Sequence, residues 1–137
     1  MRGSRAFYDT NVLIAYLFRE RGRAEIARRV LREYIVKAMS IISIHEIHVY
    51  SIRYNVEDRF IEIKELLHKL FKVEPITQDV CMKASHIRIK YGLPEVDALI
   101  LATAINGGYK HFFTFDRDFK KLDNDTIENT IIHYLNT

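Results

Sequence analysis

The sequence predicts an α/β fold in which helices cover both faces of a central parallel sheet. Short apolar segments of strand length alternate with longer segments of helical periodicity along the chain, and this alternation is typical of parallel sheets. Residues 98–105 are apolar all round, which predicts a helix buried in the middle of the domain. Acidic residues also recur at the junctions between predicted strands and helices. Together these observations favour a layered α/β domain whose polar chemistry lies at strand ends.

Length and composition are those of an ordinary globular chain. The 137 residues are 48% hydrophobic and carry a net charge of +3, so one domain over residues 1–137 has enough material for a sizeable core. The apolar runs are too short to span a bilayer, and no signal-peptide pattern opens the chain, so we expect no membrane association. The lone cysteine, Cys81, excludes an internal disulfide and favours a cytoplasmic location. The mild basic excess permits a polyanionic partner without requiring one.

Hydrophobic periodicity and turn signals divide the chain into alternating strands and helices. Strands are predicted over residues 5–9, 39–43, 72–76, 110–114 and 130–134. Helices are predicted over residues 11–18, from Gly22 to about 37, as a helical hairpin over about 44–71, from Thr77 to 91, and from Pro94 to the glycine pair at 107–108. The second helix would have an apolar face with one residue in every four, at Ile26, Val30, Tyr34 and Ala38.

Residues with strong local preferences set the boundaries in the second half of the chain. Thr77 is a suitable N-cap, and Gly92 a suitable end for the same helix. Pro94 fits the first position of the next helix. Pro75 indicates a strand end or an edge strand, because proline cannot donate a hydrogen bond to a sheet.

The first predicted junction carries three consecutive polar residues, Asp9, Thr10 and Asn11. In open parallel α/β sheets, ligands bind in the crevice outside the carboxyl ends of the strands. An acid placed there, followed by hydroxyl and amide side chains, is suited to meet a cation. The alternative is that Asp9 or Thr10 only caps the following helix, since both residue types favour that position. This stretch by itself leaves both interpretations open.

Three further acids lie at comparable junctions: Glu46, Asp97 and Asp116, with Asp118 two residues beyond the last. Each has a local alternative. Glu46 could close a capping box with Ser43, Asp97 could complement a helix dipole, and Asp116 could be an N-cap. Gathered at one site, such carboxylates repel one another until protons or a cation neutralise them. Hard divalent cations such as Mg²⁺ prefer oxygen ligands, and they can activate water for attack on a phosphodiester.

Four segments carry the most specific pattern in the chain: DTNVL (residues 9–13), SIHE (43–46), VDALILATA (96–104) and TFDRDF (114–119). Taken together and in this order, they resemble the PIN-domain nucleases, and above all the VapC-type toxins of bacterial and archaeal toxin–antitoxin pairs. The match runs from residue 6 to about residue 119, and its most diagnostic piece is the third segment.

This resemblance implies a three-layer α/β/α sandwich with a central parallel sheet, and a Mg²⁺- or Mn²⁺-dependent endoribonuclease. The catalytic residues that it implies are Asp9, Glu46, Asp97 and Asp116. The metal ligands that it implies are Asp9, Asp97, Asp116 and, as a looser match, Asp118. Asn11 and Thr114 carry over as polar supports near the metal or the phosphate.

The resemblance also implies partners. The substrate would be single-stranded or structured RNA, the chain would form a homodimer, and a cognate antitoxin would bind at the protruding hairpin of about residues 44–71. Arginines on or near the motif-bearing elements could contact RNA phosphates, although basic helix faces are more often simply solvated. The candidates for this basic rim are Arg19, Arg21, Arg23, Arg28, Arg53 and Arg117.

Other functions match the sequence less well. The chain has no Gly-x-x-x-x-Gly-Lys phosphate loop and no Gly-x-Ser-x-Gly elbow. His45 and His48 have a helical spacing that could bind Zn²⁺, but nothing completes a tetrahedral set. Two alternatives share the same family: a PIN nuclease of RNA processing without an antitoxin, and a PIN-like module that binds RNA or protein without cleaving. Four clustered carboxylates argue against the second, because a pure binding module for a polyanion gains nothing from them.

Overall fold

The computed structural model describes residues 4–136, which form a six-stranded sheet with helices on both faces. The strand order is β3-β2-β1-β4-β6-β5, and every neighbouring pair is parallel except β5 and β6. The predicted α/β class with a central, mostly parallel sheet is therefore confirmed. The strands are β1 (Arg5–Tyr8), β2 (Val36–Ser40), β3 (Lys72–Glu74), β4 (His111–Thr114), β5 (Thr126–Ile127) and β6 (Thr130–Tyr134).

Six α-helices and two 3₁₀ helices connect these strands within residues 4–136. None of the helices in that range is both long and apolar enough to cross a membrane. The α-helices are α1 (Thr10–Leu17), α2 (Ala24–Arg32), α3 (Ile41–Arg53), α4 (Phe60–Leu70), α5 (Gln78–Tyr91) and α6 (Glu95–Asn106). The 3₁₀ helices are Glu57–Arg59, between α3 and α4, and Arg117–Leu122, after β4.

Two hydrophobic clusters hold the layers together, one on each face of the sheet. Phe7 and Phe112 pack with residues of α5 and α6, whereas their strand neighbours Tyr8 and Phe113 pack with residues of α1 to α4. Successive strand residues point to opposite faces, and here both faces are covered, so the middle residues of β1 and β4 are apolar on both faces. Helix α6 is the most buried helix segment, as its apolar sequence predicts.

The predicted boundaries in the second half of the chain agree with the structure to within a residue or two. The Thr77 hydroxyl accepts a hydrogen bond from the Val80 N–H and caps α5, and Gly92 ends that helix at φ +65°. Pro75 follows β3, which lies at an edge of the sheet. Pro94 is the N-cap of α6 and not its first residue, a shift within the usual uncertainty of helix ends.

The predicted boundaries of the second helix and the second strand were wrong. Helix α2 ends at Arg32, and β2 already begins at Val36. Tyr34 and Ala38 are buried, but they belong to the loop and the strand and not to the helix. A buried strand directly after an amphipathic helix prolonged the apolar pattern, and the periodicity alone could not locate the change. The short strand β5, which pairs with β6 over two residues, was not predicted.

The capping box predicted for Ser43 and Glu46 is also absent. The Ser40 hydroxyl caps α3 by accepting a hydrogen bond from the Ile42 N–H at 3.1 Å. Ser43 therefore lies inside the first turns of α3, where its side chain is buried. The side chain of Glu46 consequently does not cap α3, and it accepts a hydrogen bond from the Thr10 hydroxyl instead.

The topology brings the ends of β1 and β4 together at the centre of the sheet. From β1 the chain builds β2 and β3 on one side, and it then returns to add β4 and β6 on the other side. Tyr8 pairs with Phe113 across this boundary, so Asp9 and Thr114 are the next residues on each strand. The strand order reverses at this point, and such switch points form the crevices in which open α/β sheets bind ligands.

Candidate metal centre

Three carboxylates converge at the switch point. One oxygen from each of Asp9, Asp97 and Asp116 lies within 4.8 Å of the others. Asp9 follows β1, Asp97 lies in the first turn of α6, and Asp116 precedes the 3₁₀ helix after β4. Asp9 is only 3% exposed, while the other two are half-buried. All three line a cleft of about 480 Å³.

The carboxylate of Asp9 is held on both oxygens. Its Oδ1 accepts a hydrogen bond from the Thr10 N–H at 2.8 Å, and its Oδ2 accepts one from the Thr114 hydroxyl at 2.7 Å. Asp9 is thus the N-cap of α1 as well as a member of the acidic cluster, and the two interpretations are compatible. The Asn11 side-chain N–H also donates to Oδ2, at 3.4 Å. Since each carboxylate oxygen has two lone pairs, Oδ1 is the oxygen that keeps a lone pair for a cation.

Asn11 and Thr114, the two polar supports, tie the end of β1 to the end of β4. The Thr114 hydroxyl accepts the Asp116 N–H at 2.9 Å while it donates to Asp9. The Asn11 side-chain oxygen accepts the Phe115 N–H at 2.9 Å. These bonds fix the backbone that carries Asp116 relative to the backbone that carries Asp9, so the spacing of the two acids does not depend on their side-chain rotamers alone.

The acidic cluster is electrostatically unbalanced. Burial raises the pKa of Asp9 to about 7, with further contributions from Glu46 and Asp116, against the opposing hydrogen bonds from Thr114 and Thr10. Burial also raises the pKa of Asp97, and the charges of Asp9 and Asp116 raise it further. Within residues 4–136, none of the three carboxylates forms an ion pair with a basic side chain.

This donor set fits a hard divalent cation. All the candidate ligand atoms are carboxylate oxygens, the ligands that Mg²⁺ and Mn²⁺ prefer. The raised pKa values of Asp9 and Asp97 mean that these groups hold protons until another positive charge neutralises them. A divalent cation would supply that charge, so the residues present fit the metal that the sequence analysis expected.

Glu46 and Asp118 lie at the margin of the three-carboxylate group. Glu46 lines the same cleft and accepts a hydrogen bond from the Thr10 hydroxyl, which also contacts the Ser43 hydroxyl at 2.7 Å. The side chain of Asp118 is exposed, and its backbone N–H donates to the Asp116 carboxylate at 2.9 Å. Neither acid has an oxygen within the 4.8 Å group.

Thr10 is the functional-site residue that sequence reasoning undervalued. Its N–H bonds Asp9 and its hydroxyl bonds Glu46, so one residue positions two of the four predicted acids. The available signal was its place between two polar site residues, but a threonine after an aspartate is equally suited to helix capping.

Only some of the six candidate arginines lie near the acidic cluster. Arg53 lines the cleft. The guanidinium of Arg23 lies 4.9 Å from the centre of the Phe115 ring, one residue before Asp116. Arg117 directly follows Asp116 and is exposed. Of these three arginines, Arg53 lines the cleft, Arg23 lies beside the neighbour of Asp116 in sequence, and Arg117 follows Asp116.

The other three arginines are placed elsewhere. Arg19 and Arg28 line a separate depression between α1 and α2, and Arg28 forms an exposed ion pair with Glu25 at 2.9 Å. Arg21 is exposed between the two helices. The structure thus does not gather all six predicted RNA-binding arginines around one site.

The two histidines of α3 do not form a shared site. His45 lines the cleft. The His48 Nε2 lies 2.8 Å from a Glu57 carboxylate oxygen, and its ring stacks on Phe60 with the centroids 4.3 Å apart. In the part of the chain that the structure describes, neither histidine joins a group of three possible metal ligands. The arrangement gives no support to the zinc alternative.

Comparison with known proteins shows the family of the chain. The PIN domain family model matches residues 6–125 of the chain. The chain belongs to the PIN domain family. The match includes both strands of the switch point and all the acids of the cleft, and it confirms the resemblance inferred from the four sequence segments. No curated protein matches the sequence of this PIN domain.

Solved structures with the same fold include toxins and toxin–antitoxin complexes. A toxin–antitoxin complex from Klebsiella pneumoniae has 29% sequence identity and a TM-score of 0.70, over 92% of this chain and 95% of that one. The sarcin–ricin loop cleaving toxin VapC20 from Mycobacterium tuberculosis has 21% identity and a TM-score of 0.73, over 90% and 97% of the two chains. VapBC2 from Rickettsia felis, bound to a DNA fragment from its promoter, has 14% identity and a TM-score of 0.69, over 96% and 98%.

Proposed function

We propose that this PIN domain is a Mg²⁺- or Mn²⁺-dependent endoribonuclease that acts on cytoplasmic RNA as the toxin of a toxin–antitoxin pair. The observation that carries the proposal is the convergence of Asp9, Asp97 and Asp116, whose nearest oxygens lie within 4.8 Å of one another. These three residues would hold the cation. Glu46 and Asp118, at the margin of the group, would act on the surrounding water or on the outer coordination of the metal.

The proposed chemistry is the hydrolysis of a phosphodiester. A divalent cation bound at the acidic cluster would supply Lewis-acid activation and neutralise developing negative charge. Thr114 and Thr10 would keep the Asp9 carboxylate oriented, and Thr10 would also orient Glu46 across the cleft. Arg53 and Arg23 would bind phosphates on either side of the reacting group, because guanidinium groups match phosphate geometry.

A cleavage assay with matched variants tests the activity. Wild type should cleave single-stranded RNA in Mg²⁺ or Mn²⁺ and should be inactive in EDTA. Asp9→Asn and Asp97→Asn should each lower the cleavage rate by at least about 100-fold, the scale for loss of an electrostatic catalytic group. Asp79→Asn is the matched control, because Asp79 is an exposed acid in the first turn of α5. Full activity in EDTA would contradict the metal dependence, and full activity of a folded Asp97→Asn protein would remove that residue from the site.

The toxin role rests on the similarity to toxin–antitoxin complexes and on apolar surface near the predicted hairpin. Ile52, Ile61 and Leu70 of α3 and α4 are 49%, 65% and 43% exposed, and such surface suits a protein partner. We propose a homodimer that an antitoxin neutralises at the cleft. Light scattering should give the mass of two chains, and the product of an adjacent gene should bind and inhibit cleavage. RNA cleavage without any such partner would favour the RNA-processing alternative.

A further inference from the structure

One face of α3 forms a wall of the cleft. Ile42, His45, Glu46, Val49, Tyr50 and Arg53 all line it, with the three- and four-residue spacing of a single helix face. Among these residues, Glu46 is linked to the acidic cluster by Thr10, whose hydroxyl donates to Glu46 and whose N–H donates to Asp9. With a rise of about 1.5 Å per residue, Tyr50 lies about 6 Å further along the helix than Glu46, and Arg53 about 10 Å further. Along this wall, the residue near the acidic cluster is Glu46, the next is the aromatic Tyr50, and the last is the positively charged Arg53.

The aromatic ring of this wall belongs to a row of three. The ring centroids of Phe18 and Tyr50 are 4.5 Å apart with an interplanar angle of 38°. Those of Tyr50 and Tyr54 are 4.5 Å apart with an angle of 39°. Phe18 is half-buried and packs on the hydrophobic core, whereas Tyr54 is 59% exposed. The row thus begins in the core between α1 and α3 and ends in solvent with an aromatic face.

Packing explains the inner end of this row but not its outer end. Tyr54 is the C-cap residue of α3, and it satisfies its backbone N–H with the carbonyl of Tyr50, a role that requires no aromatic side chain. Its hydroxyl has no hydrogen-bond partner among residues 4–136. An exposed aromatic ring beside a basic residue is the usual platform for an unpaired nucleobase. Arg53, which precedes Tyr54 in sequence and lies three residues after Tyr50 on the cleft face of α3, supplies that basic residue.

The charges around the row distinguish a base from a phosphate. Arg53 lies on the cleft side, whereas burial and the negative charge of Glu20 raise the pKa of the Tyr50 hydroxyl. Glu20 disfavours a phosphate over the aromatic row, while Arg53 favours one beside it. A neutral base therefore fits the rings, and its phosphate fits the side of the row that faces the acidic cluster.

We propose that the row Phe18–Tyr50–Tyr54 is a base-stacking platform that selects an unpaired nucleotide next to the reacting phosphate, with its base on Tyr54 and a phosphate at Arg53. This inference rests on the proposed ribonuclease function and adds the feature of RNA that the cleft selects. A base inside a duplex is already stacked on both faces, so it cannot occupy Tyr54 without leaving the helix. Tyr54 is a positioning residue and takes no part in the chemical step.

The test measures RNA affinity in a protein that cannot cleave. In an Asp116→Asn background with EDTA, fluorescence anisotropy would give the affinity for a short labelled single-stranded RNA and for the same RNA in a duplex. Tyr54→Ala should weaken single-strand binding by roughly 5- to 100-fold, the range for loss of one stacked base, and should leave duplex binding unchanged. Tyr54→Phe should bind like the parent. Ile89→Ala is the matched control, since Ile89 is 83% exposed and lies on α5, outside the row and outside the helical hairpin.

A second measurement locates the stacked base. Abasic nucleotides would be introduced one at a time along the single strand. At one position the parent and the Tyr54→Ala variant should bind the abasic RNA with equal affinity. The base that stacks on Tyr54 is then absent from the RNA, so removal of the ring has no further cost. A difference that persists at every position would overturn the proposed stacking.

Three other results would also overturn the inference. These are equal affinities of Tyr54→Ala and Tyr54→Phe, equal losses for single strand and duplex, and a Tyr54→Ala loss accompanied by a change in oligomeric mass, which would assign Tyr54 to an interface between copies. Cleavage by the wild-type protein is measured separately. Tyr54-dependent binding without cleavage would reject the ribonuclease proposal alone, whereas cleavage with unchanged binding by Tyr54→Ala would reject the stacking platform alone.

Discussion

Asp97 belongs to a helix, whereas the two acids beside it, Asp9 and Asp116, follow strands of the sheet. It projects from the first turn of α6 towards two acids that follow β1 and β4, and burial and their charges raise its pKa. An acid whose pKa is raised on folding stabilises the folded state fully only below its unfolded value of 3.8, and that contribution is lost as pH rises through the folded value. At neutral pH without metal, Asp97 is therefore a destabilising residue.

The prediction is that Asp97→Asn raises the melting temperature in EDTA at neutral pH and reduces the loss of stability between acidic and neutral pH. The amide keeps the shape of the side chain but cannot ionise. Thermal melts of wild type and variant across that pH range would measure the difference. Asp79→Asn, with its exposed side chain, should change neither quantity. A variant that melts below wild type at neutral pH would show that the repulsion is not the dominant effect at this position.

A buried histidine, His111, and its half-buried neighbour His133 provide a second pH-dependent element, with the opposite sign. The Nδ1 of His111 on β4 lies 2.8 Å from the Nε2 of His133 on β6, and the buried Nε2 of His111 has no partner among the described residues. Burial, His133 and Lys110 lower the pKa of His111, which Glu33 partly offsets. Since the unfolded chain binds a proton near pH 6.5 and the folded chain only at lower pH, stability falls as pH drops below 6.5.

We expect His111→Phe to remove much of this acid destabilisation. The His111 ring lies among the aromatic rings of Tyr34 and Phe113, so phenylalanine can keep the stacking without a buried nitrogen. Urea unfolding near neutral pH and at about one to two pH units below 6.5 would measure the effect. His86→Phe, at an exposed position on α5, is the control. The same pH dependence in His111→Phe and wild type would show that the acid effect comes from other groups.

At the scale of elements, the start of α3 determines where Glu46 lies. The Ser40 side chain is fully buried and caps the helix, which fixes the register of every later residue of α3. Because an N-cap serine contributes about 0.5–2 kcal/mol, we predict that Ser40→Ala lowers the free energy of unfolding by about 1 kcal/mol. Urea titration would measure it, with the exposed helix residue Ser85, changed to alanine, as the control. An unchanged unfolding midpoint would contradict the assigned cap.

At the scale of the whole molecule, the switch point joins three distant parts of the chain into one centre. A cation bound to Asp9, Asp97 and Asp116 binds the folded chain only, because the unfolded chain does not bring these residues together. Mn²⁺ should therefore stabilise wild type by about 2.7 kcal/mol at a hundredfold excess over its Kd.

The matched comparison is the Mn²⁺-induced shift of Asp116→Asn. This variant should gain much less stability from Mn²⁺, while Asp79→Asn should gain as much as wild type. Thermal melts of the three proteins in EDTA and in Mn²⁺ would measure the shift in melting temperature that Mn²⁺ causes in each. Equal shifts in all three would mean that Asp116 lies outside the metal centre.

The sequence by itself determined those features of this PIN domain that depend on local chemistry. Thr77 and Gly92 mark the two ends of α5, and the apolar run of α6 predicts that this helix is buried. Both features follow from the sequence because capping and hydrophobic periodicity act over a few residues. The α/β class followed from the alternation of such elements. The placement of Asp9, Asp97 and Asp116 at strand and helix ends was also readable, since each lies within one or two residues of a boundary signal.

Only the tertiary structure decided the distances and orientations that make these residues a candidate site. The grouping of the three acids within 4.8 Å depends on the strand order, which no local pattern encodes. The sequence predicts a cap at Ser43, whereas Ser40 caps α3 in the structure. Glu46 therefore lies inside the helix, where it accepts a hydrogen bond from Thr10. The arginines look equivalent in the sequence because all are charged and flexible. The fold gives them different surroundings. Arg53 lines the cleft, Arg23 lies over the Phe115 ring, and Arg28 forms an ion pair outside the cleft.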